Sequence, residues 1–124
     1  MNERLREYIE HMRIAASDAC GFVDGMSKSE FLGDKRTQQA VIMSLIIIGE
    51  AATKLMDGYS DFTDRHAEIP WRSMRGMRNR VAHGYFETDV EIVWDTVQKA
   101  LPDLLAELGG ISELRGKEDG SNSV

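Results

Sequence analysis

The chain has 124 residues, is 42% hydrophobic and carries a formal charge of −6; this suits one globular domain with one core. Such an acidic surface does not draw RNA, DNA or anionic membrane by bulk charge, so any nucleic-acid role must rest on a local basic patch. A single cysteine, Cys20, rules out a disulfide framework within the chain and fits a reducing cytosol.

The opening MNERLREYIE is charged and holds no apolar signal core. Leu5, Ile9, Met12, Ala16, Ala19 and Val23 recur at intervals of three and four, which predicts a first helix over residues 2–24. Ser27 with Glu30 reads as a capping box on the short turn SKSEF. Asp34 can cap a long helix running to about Met56 and closed by Asp57-Gly58. Between Val41 and Leu55 that helix is apolar on most sides, so it belongs in the middle of a bundle or between two subunits. Its apolar run, Ala40 to Ala52, is too short to cross a bilayer and contains Glu50. Residues 57–69 are polar and turn-rich. Pro70 fits the first position of a helix from Trp71 to about His83, and Gly84 its stop. Thr88 with Glu91 makes a second capping box, opening a last helix to about Leu108. Pro102 should kink or split that helix, and Gly109-Gly110 should end it. No stretch alternates as a strand. The expectation is an all-α fold: an up-and-down bundle of four main helices over residues 1–110, with a flexible tail at 111–124, in a soluble cytoplasmic protein.

Chemistry concentrates in MRNRVAHGYF, residues 77–86. On a helix turning about 100° per residue, Trp71, Met74, Val81 and Ala82 share one side with Arg78. Arg72, Arg75 and Asn79 lie on the flank, and Arg80 points away. An unpaired guanidinium is costly to bury, so Arg78 needs a ligand or a carboxylate such as Glu50, itself stranded in the apolar helix. His83 lies about 140° further round than Arg78, so the two do not meet on one straight helix, and Asn79 is the neighbour of His83. They can meet if the helix ends at His83 and the ring swings, or if two copies build the site across a twofold axis.

His83 alone also reads as a helix C-terminal dipole partner. Together with arginines it suits phosphodiester cleavage in RNA. Histidine moves protons near neutral pH, and a guanidinium grips phosphate and stabilises added charge. Arg72, Arg75 and Arg80 are candidate RNA contacts. His11, His66, His83 and Cys20 show no metal-ligand spacing, and there is no Walker loop, GxGxxG or GxSxG, so neither metal nor cofactor is expected. Trp71 and Trp94 read as core or interface anchors, the methionines as packing material, and Cys20 as a buried small residue.

The run MRNRVAHGYF resembles the signature of the HEPN superfamily, most closely its HepT-like branch: arginine, a short spacer, then His-x-Tyr. Here those positions are Arg78, His83 and Tyr85, with Asn79 matching the polar residue after the arginine. GEAATKL (Gly49 to Leu55), IPWRSMRGMRN (Ile69 to Asn79) and Val93-Trp94 resemble the same family, and the likeness covers roughly residues 5–108. The resemblance implies an α-helical homodimer whose composite cleft gathers catalytic Arg78 and His83 from both copies. Asn79 and Glu50 would support them. It implies a metal-independent endoribonuclease attacking through the ribose 2′-hydroxyl. It implies the toxin of a type VII HEPN/MNT toxin–antitoxin pair, neutralised when an MNT-type nucleotidyltransferase transfers AMP from ATP to Tyr85. An alternative is a non-catalytic substrate-binding subunit of a two-component nucleotidyltransferase. The plainest reading is a helical dimer with an internal Arg78–Glu50 ion pair.

Overall fold

The computed structural model describes residues 2–84 and 89–111. The described elements are all helical: α1 (Glu3–Phe22), α2 (Lys28–Leu32), α3 (Lys35–Gly58), α4 (Ser60–Arg65), α5 (Trp71–His83), α6 (Val90–Asp95), a π-helical turn (Thr96–Ala100) and α7 (Leu101–Gly109).

Local chemistry explains where the first helices start. The Asn2 side chain accepts the backbone N–H groups of Arg4 and Leu5 at 2.8 and 3.2 Å, satisfying two free donors of α1. The Ser27–Glu30 box forms at α2: Glu30 N–H donates to Ser27 Oγ at 3.1 Å, and Ser27 N–H to Glu30 Oε1 at 2.8 Å. Asp34 caps α3 by accepting the Thr37 N–H at 3.1 Å and the Thr37 hydroxyl at 2.7 Å.

Central to the packing is α3, which lies against both α1 and α5. It buries Val41, Ile42, Leu45, Ile48, Ala51, Ala52 and Leu55 against the predicted stripe of α1. It is not covered all round, because Met43 and Ile47 stay exposed. By length and composition α3 passes as a membrane span; half of its apolar window is buried within the molecule, as in a core helix.

Structure departs from the sequence pattern at several points. Within the expected turn-rich stretch, α4 buries Phe62 and Thr63. It is too short to show a helical period, and tertiary contacts hold it. The Trp71 indole N–H, shared between the carbonyls of Thr63 and His66 at 3.2 and 3.0 Å, ties α4 to the start of α5. Trp71 is thus a core anchor, and Trp94, half-buried, packs with its ring tilted against Phe31 of α2, the centroids 5.3 Å apart. Pro70 precedes the first helical residue of α5 instead of occupying it. Ala82 is exposed: the buried arc of α5 centres on Met74 and Val81 and leaves Ala82 at its edge. Asp89 caps α6, accepting the Glu91 N–H at 2.9 Å, while Thr88 lies outside the described residues.

The break expected at Pro102 takes the form of the π-helical turn just before it, where Leu101 N–H donates to the Thr96 carbonyl. Proline has no N–H, and its ring crowds the carbonyl four residues back, so a wider turn relieves both problems. The core also runs past residue 110: Ile111 is fully buried. Residues 112–124, which hold the rest of the expected tail, lie outside the described residues.

Candidate active site

The site begins with a glycine. A Cβ on Gly49 would lie 2.2 Å from Arg78 Cβ and 2.8 Å from the Met74 carbonyl oxygen, so only a bare backbone lets α5 come this close to α3. Over that spot the Arg78 side chain is laid along α3. Glu50 accepts a hydrogen bond from Nη1 and closes an ion pair. Thr53 Oγ1 accepts from Nη2 at 3.3 Å and donates its own proton to the Gly49 carbonyl at 2.8 Å.

Gly49, Glu50 and Thr53 therefore form a seat for one guanidinium, aiming it through two of its five donors. Its Nε is buried without a hydrogen-bond partner. The Arg78 side chain is 22% exposed and that of Glu50 50%, so water screens the pair and its worth to stability is modest. Orientation is the larger effect. The expected Arg78–Glu50 pair is what forms. Sequence reasoning missed Gly49 and Thr53, although both stand in GEAATKL; a glycine inside a strongly apolar helix is the signal that points to close helix approach.

His83 sits elsewhere, exposed on the last turn of α5. It lines a groove of about 500 Å³ with Asn79, Arg80 and Asp89 on its rim and Val81, Ile92 and Val93 among its apolar walls. This groove brings His83 together with Asn79 and Arg80. It is not lined by Arg78, whose guanidinium is held by Glu50 and Thr53 of α3.

The candidate RNA-binding arginines are divided between two grooves. Arg72 and Arg75 line a separate groove of about 720 Å³ at the start of α5, with Ser60, Asp64 and Ser73. Arg75 Nη2 lies 3.1 Å from the Met56 sulfur and 3.9 Å from Asp57, and its Nε is buried without a partner. Tyr85 lies outside the described residues. His11 is exposed on α1, and His66 stands 3.4 Å from Glu68 with its ring against Phe62; neither joins the site. Cys20 is half-buried, and burial raises its thiol pKa. Among the described residues no His, Cys, Asp and Glu cluster could hold a metal ion.

The order of Gly49-Glu50, Arg78 and His83 along two packed helices can be set beside known proteins. A family model described as "Ribonuclease HepT-like" matches residues 5–111. The chain belongs to the HepT-like family. "Putative RNase MJ0127" of Methanocaldococcus jannaschii is 36% identical over 94% of this chain and 92% of its own length. "Probable ribonuclease HepT" of Thermococcus cleftensis is 39% identical over 84% and 92%. "Putative RNase TTE0752" of Caldanaerobacter subterraneus subsp. tengcongensis is 34% identical over 80% and 86%. No solved structure matches the chain. The span matched to the HepT-like family runs from Leu5, the first buried residue of α1, to Ile111, where the described core ends.

Proposed function

We propose that this HepT-like chain is a metal-independent endoribonuclease acting as the toxin of a HEPN/MNT pair in the cytoplasm. The observation that carries the reading is the seat of Arg78. A guanidinium aimed by Glu50 and Thr53, with donors to spare, lies on the helix that ends in an exposed histidine.

In the reaction, neutral His83 accepts the proton of a ribose 2′-hydroxyl, and the 2′-oxygen attacks the adjacent phosphorus. The bond from phosphorus to the 5′-oxygen breaks, and that oxygen takes a proton from a histidine acting as acid. A 2′,3′-cyclic phosphate and a 5′-hydroxyl result. Arg78 binds the phosphate and stabilises the extra negative charge as bonds form and break.

Two copies would solve the geometry. Arg78 and His83 point about 140° apart on one helix, so an isologous dimer would supply an arginine from one copy and a histidine from the other. It would also supply two histidines, one as base and one as acid. Exposed Met43 and Ile47, the latter one turn before Glu50, offer apolar surface for such a contact. Within each copy, α1, α3, α5 and the α6–α7 arm would form an up-and-down bundle of four main helices. Tyr85, two residues beyond His83, would be the control point: AMP added there by a partner nucleotidyltransferase puts negative charge and bulk beside the cleft.

Purified protein, Arg78→Ala and His83→Ala are incubated with RNA in the presence of a chelator. Each variant should lose about 10²- to 10⁴-fold in rate. Cutting by both at wild-type rates in metal-free buffer refutes the reading. Wild-type protein that binds a phosphate but never cuts points to the substrate-binding subunit instead.

A further inference from the structure

In a chain of charge −6, α5 carries Arg72, Arg75, Arg78 and Arg80 and no acid from Trp71 to His83. Arg78 is turned into α3 by Glu50 and Thr53, and Arg75 leans on the end of α3 at Met56 and Asp57; Arg72 and Arg80 are exposed and make no contact of this kind with α3. At about 100° per residue, Arg72, Gly76, Asn79 and His83 follow one line along the helix, spaced four, three and four apart. Arg75 and Arg80 flank the line on either side. Its length is about 16 Å, several times the roughly 3.4 Å rise per nucleotide of a stacked strand. The two grooves lie at its ends, one with Arg72 and Arg75, the other with Asn79, Arg80 and His83.

Gly76 stands in the middle of this line. Glycine is the poorest helix former after proline, and here nothing within the described chain requires it: a Cβ at Gly76 would meet no atom within 4 Å. Gly49 is the contrast, where a Cβ would strike Arg78 and Met74. A helix-weakening residue with open space over it fits something outside the fold that must come close to the backbone.

We infer that the line Arg72–Gly76–Asn79–His83 is the track of single-stranded RNA. The sugar-phosphate backbone passes closest at Gly76, with Arg72 and Arg75 holding phosphates on one side and Arg80 on the other. Charge selects this occupant. A linear polyanion matches a cationic line, whereas a second copy laid on it across a twofold axis would set arginine against arginine. What happens at the His83 end rests on the nuclease reading above; the track itself does not.

The experiment compares wild-type protein, Gly76→Ala and Arg72→Ala. It measures binding of a labelled single-stranded RNA dodecamer by anisotropy over a salt series, cleavage of that dodecamer, melting temperature, and mass in solution. Gly76→Ala should melt a few degrees higher, because alanine favours the helix. It should nevertheless bind the dodecamer about tenfold or more weakly, as expected when a close contact is displaced. Arg72→Ala should reduce the slope of log affinity against log salt by about 0.7, one phosphate contact on a single strand. Wild-type affinity in Gly76→Ala, or no dodecamer binding by wild-type protein, overturns the track. A change of mass in Gly76→Ala assigns the glycine to a subunit contact and overturns it as well. RNA bound in the expected way but never cut leaves the track standing and defeats the nuclease reading alone.

Discussion

Gly49→Ala should be the most damaging small substitution in this protein. The new Cβ would lie 2.2 Å from Arg78 Cβ, 2.8 Å from the Met74 carbonyl oxygen and 2.9 Å from Arg78 Cγ. One of these atoms is backbone, so rotating a side chain cannot relieve the clash. Ordinary contact returns only if α3 and α5 separate by roughly 1 Å, and such overpacking costs about 1–3 kcal/mol. Alanine returns about 1 kcal/mol of helix propensity. With the steric cost at the upper end, the net loss is about 2 kcal/mol, which lowers Tm by on the order of 10 °C in a domain of this size. A shift of that size also lifts Arg78 off Glu50 and Thr53, and misplacement by about 1 Å can cost 10²-fold in rate. Thermal denaturation followed by circular dichroism reads the first effect and RNA cleavage at a permissive temperature the second. Gly76→Ala is the internal control for melting alone, with the same gain in propensity and no clash. Gly49→Ala melting at or above the wild-type temperature, with wild-type cleavage, would refute the argument that close helix approach builds the site.

Trp71→Phe should destabilise the fold by about 1–2 kcal/mol, because the carbonyls of Thr63 and His66 lose the indole donor. The urea midpoint measures it, and an unchanged midpoint contradicts the anchor role. Tyr85→Phe should keep most RNA cleavage yet escape control by the nucleotidyltransferase; peptide mass spectrometry after co-expression, finding AMP on another residue, would reject Tyr85 as the control point. Acid should loosen the starts of α2 and α3 first. Glu30 is held below the ordinary carboxylate range, first by the Ser27 backbone N–H and then by the Ser27 hydroxyl, and Asp34 by the Thr37 hydroxyl and then the Thr37 N–H. Because both folded pKa values are depressed, their contribution is complete above the unfolded values of about 4.3 and 3.9 and is lost as pH falls through the lower folded ones. Nuclear magnetic resonance titration reads both carboxyls directly, and folded pKa values at or above the ordinary ones would contradict this.

Local interactions made much of this protein legible from its residues. Caps act over three positions, so Ser27, Glu30 and Asp34 announced the starts of α2 and α3 whatever lay around them. The period of three and four along α1 marked the face that is buried. Even the Arg78–Glu50 pair was foreseeable, since a charge aimed at an apolar surface must find its opposite. The family signature was likewise written in MRNRVAHGYF. What tertiary structure decided is the meaning of residues that look alike in one dimension. Gly49 and Gly76 are both glycines inside helices, but one touches Arg78 and the other faces open space. Four arginines share α5, but Glu50 and Thr53 of α3 claim Arg78, Arg75 leans on Met56 and Asp57 at the end of α3, and Arg72 and Arg80 line two separate grooves. The stretch 57–69 carries no period because α4 is shorter than two full turns, and Trp71, which helps hold it, comes later in the chain. Each of these outcomes depends on how near another helix comes, and that distance is set by the packing of the whole core.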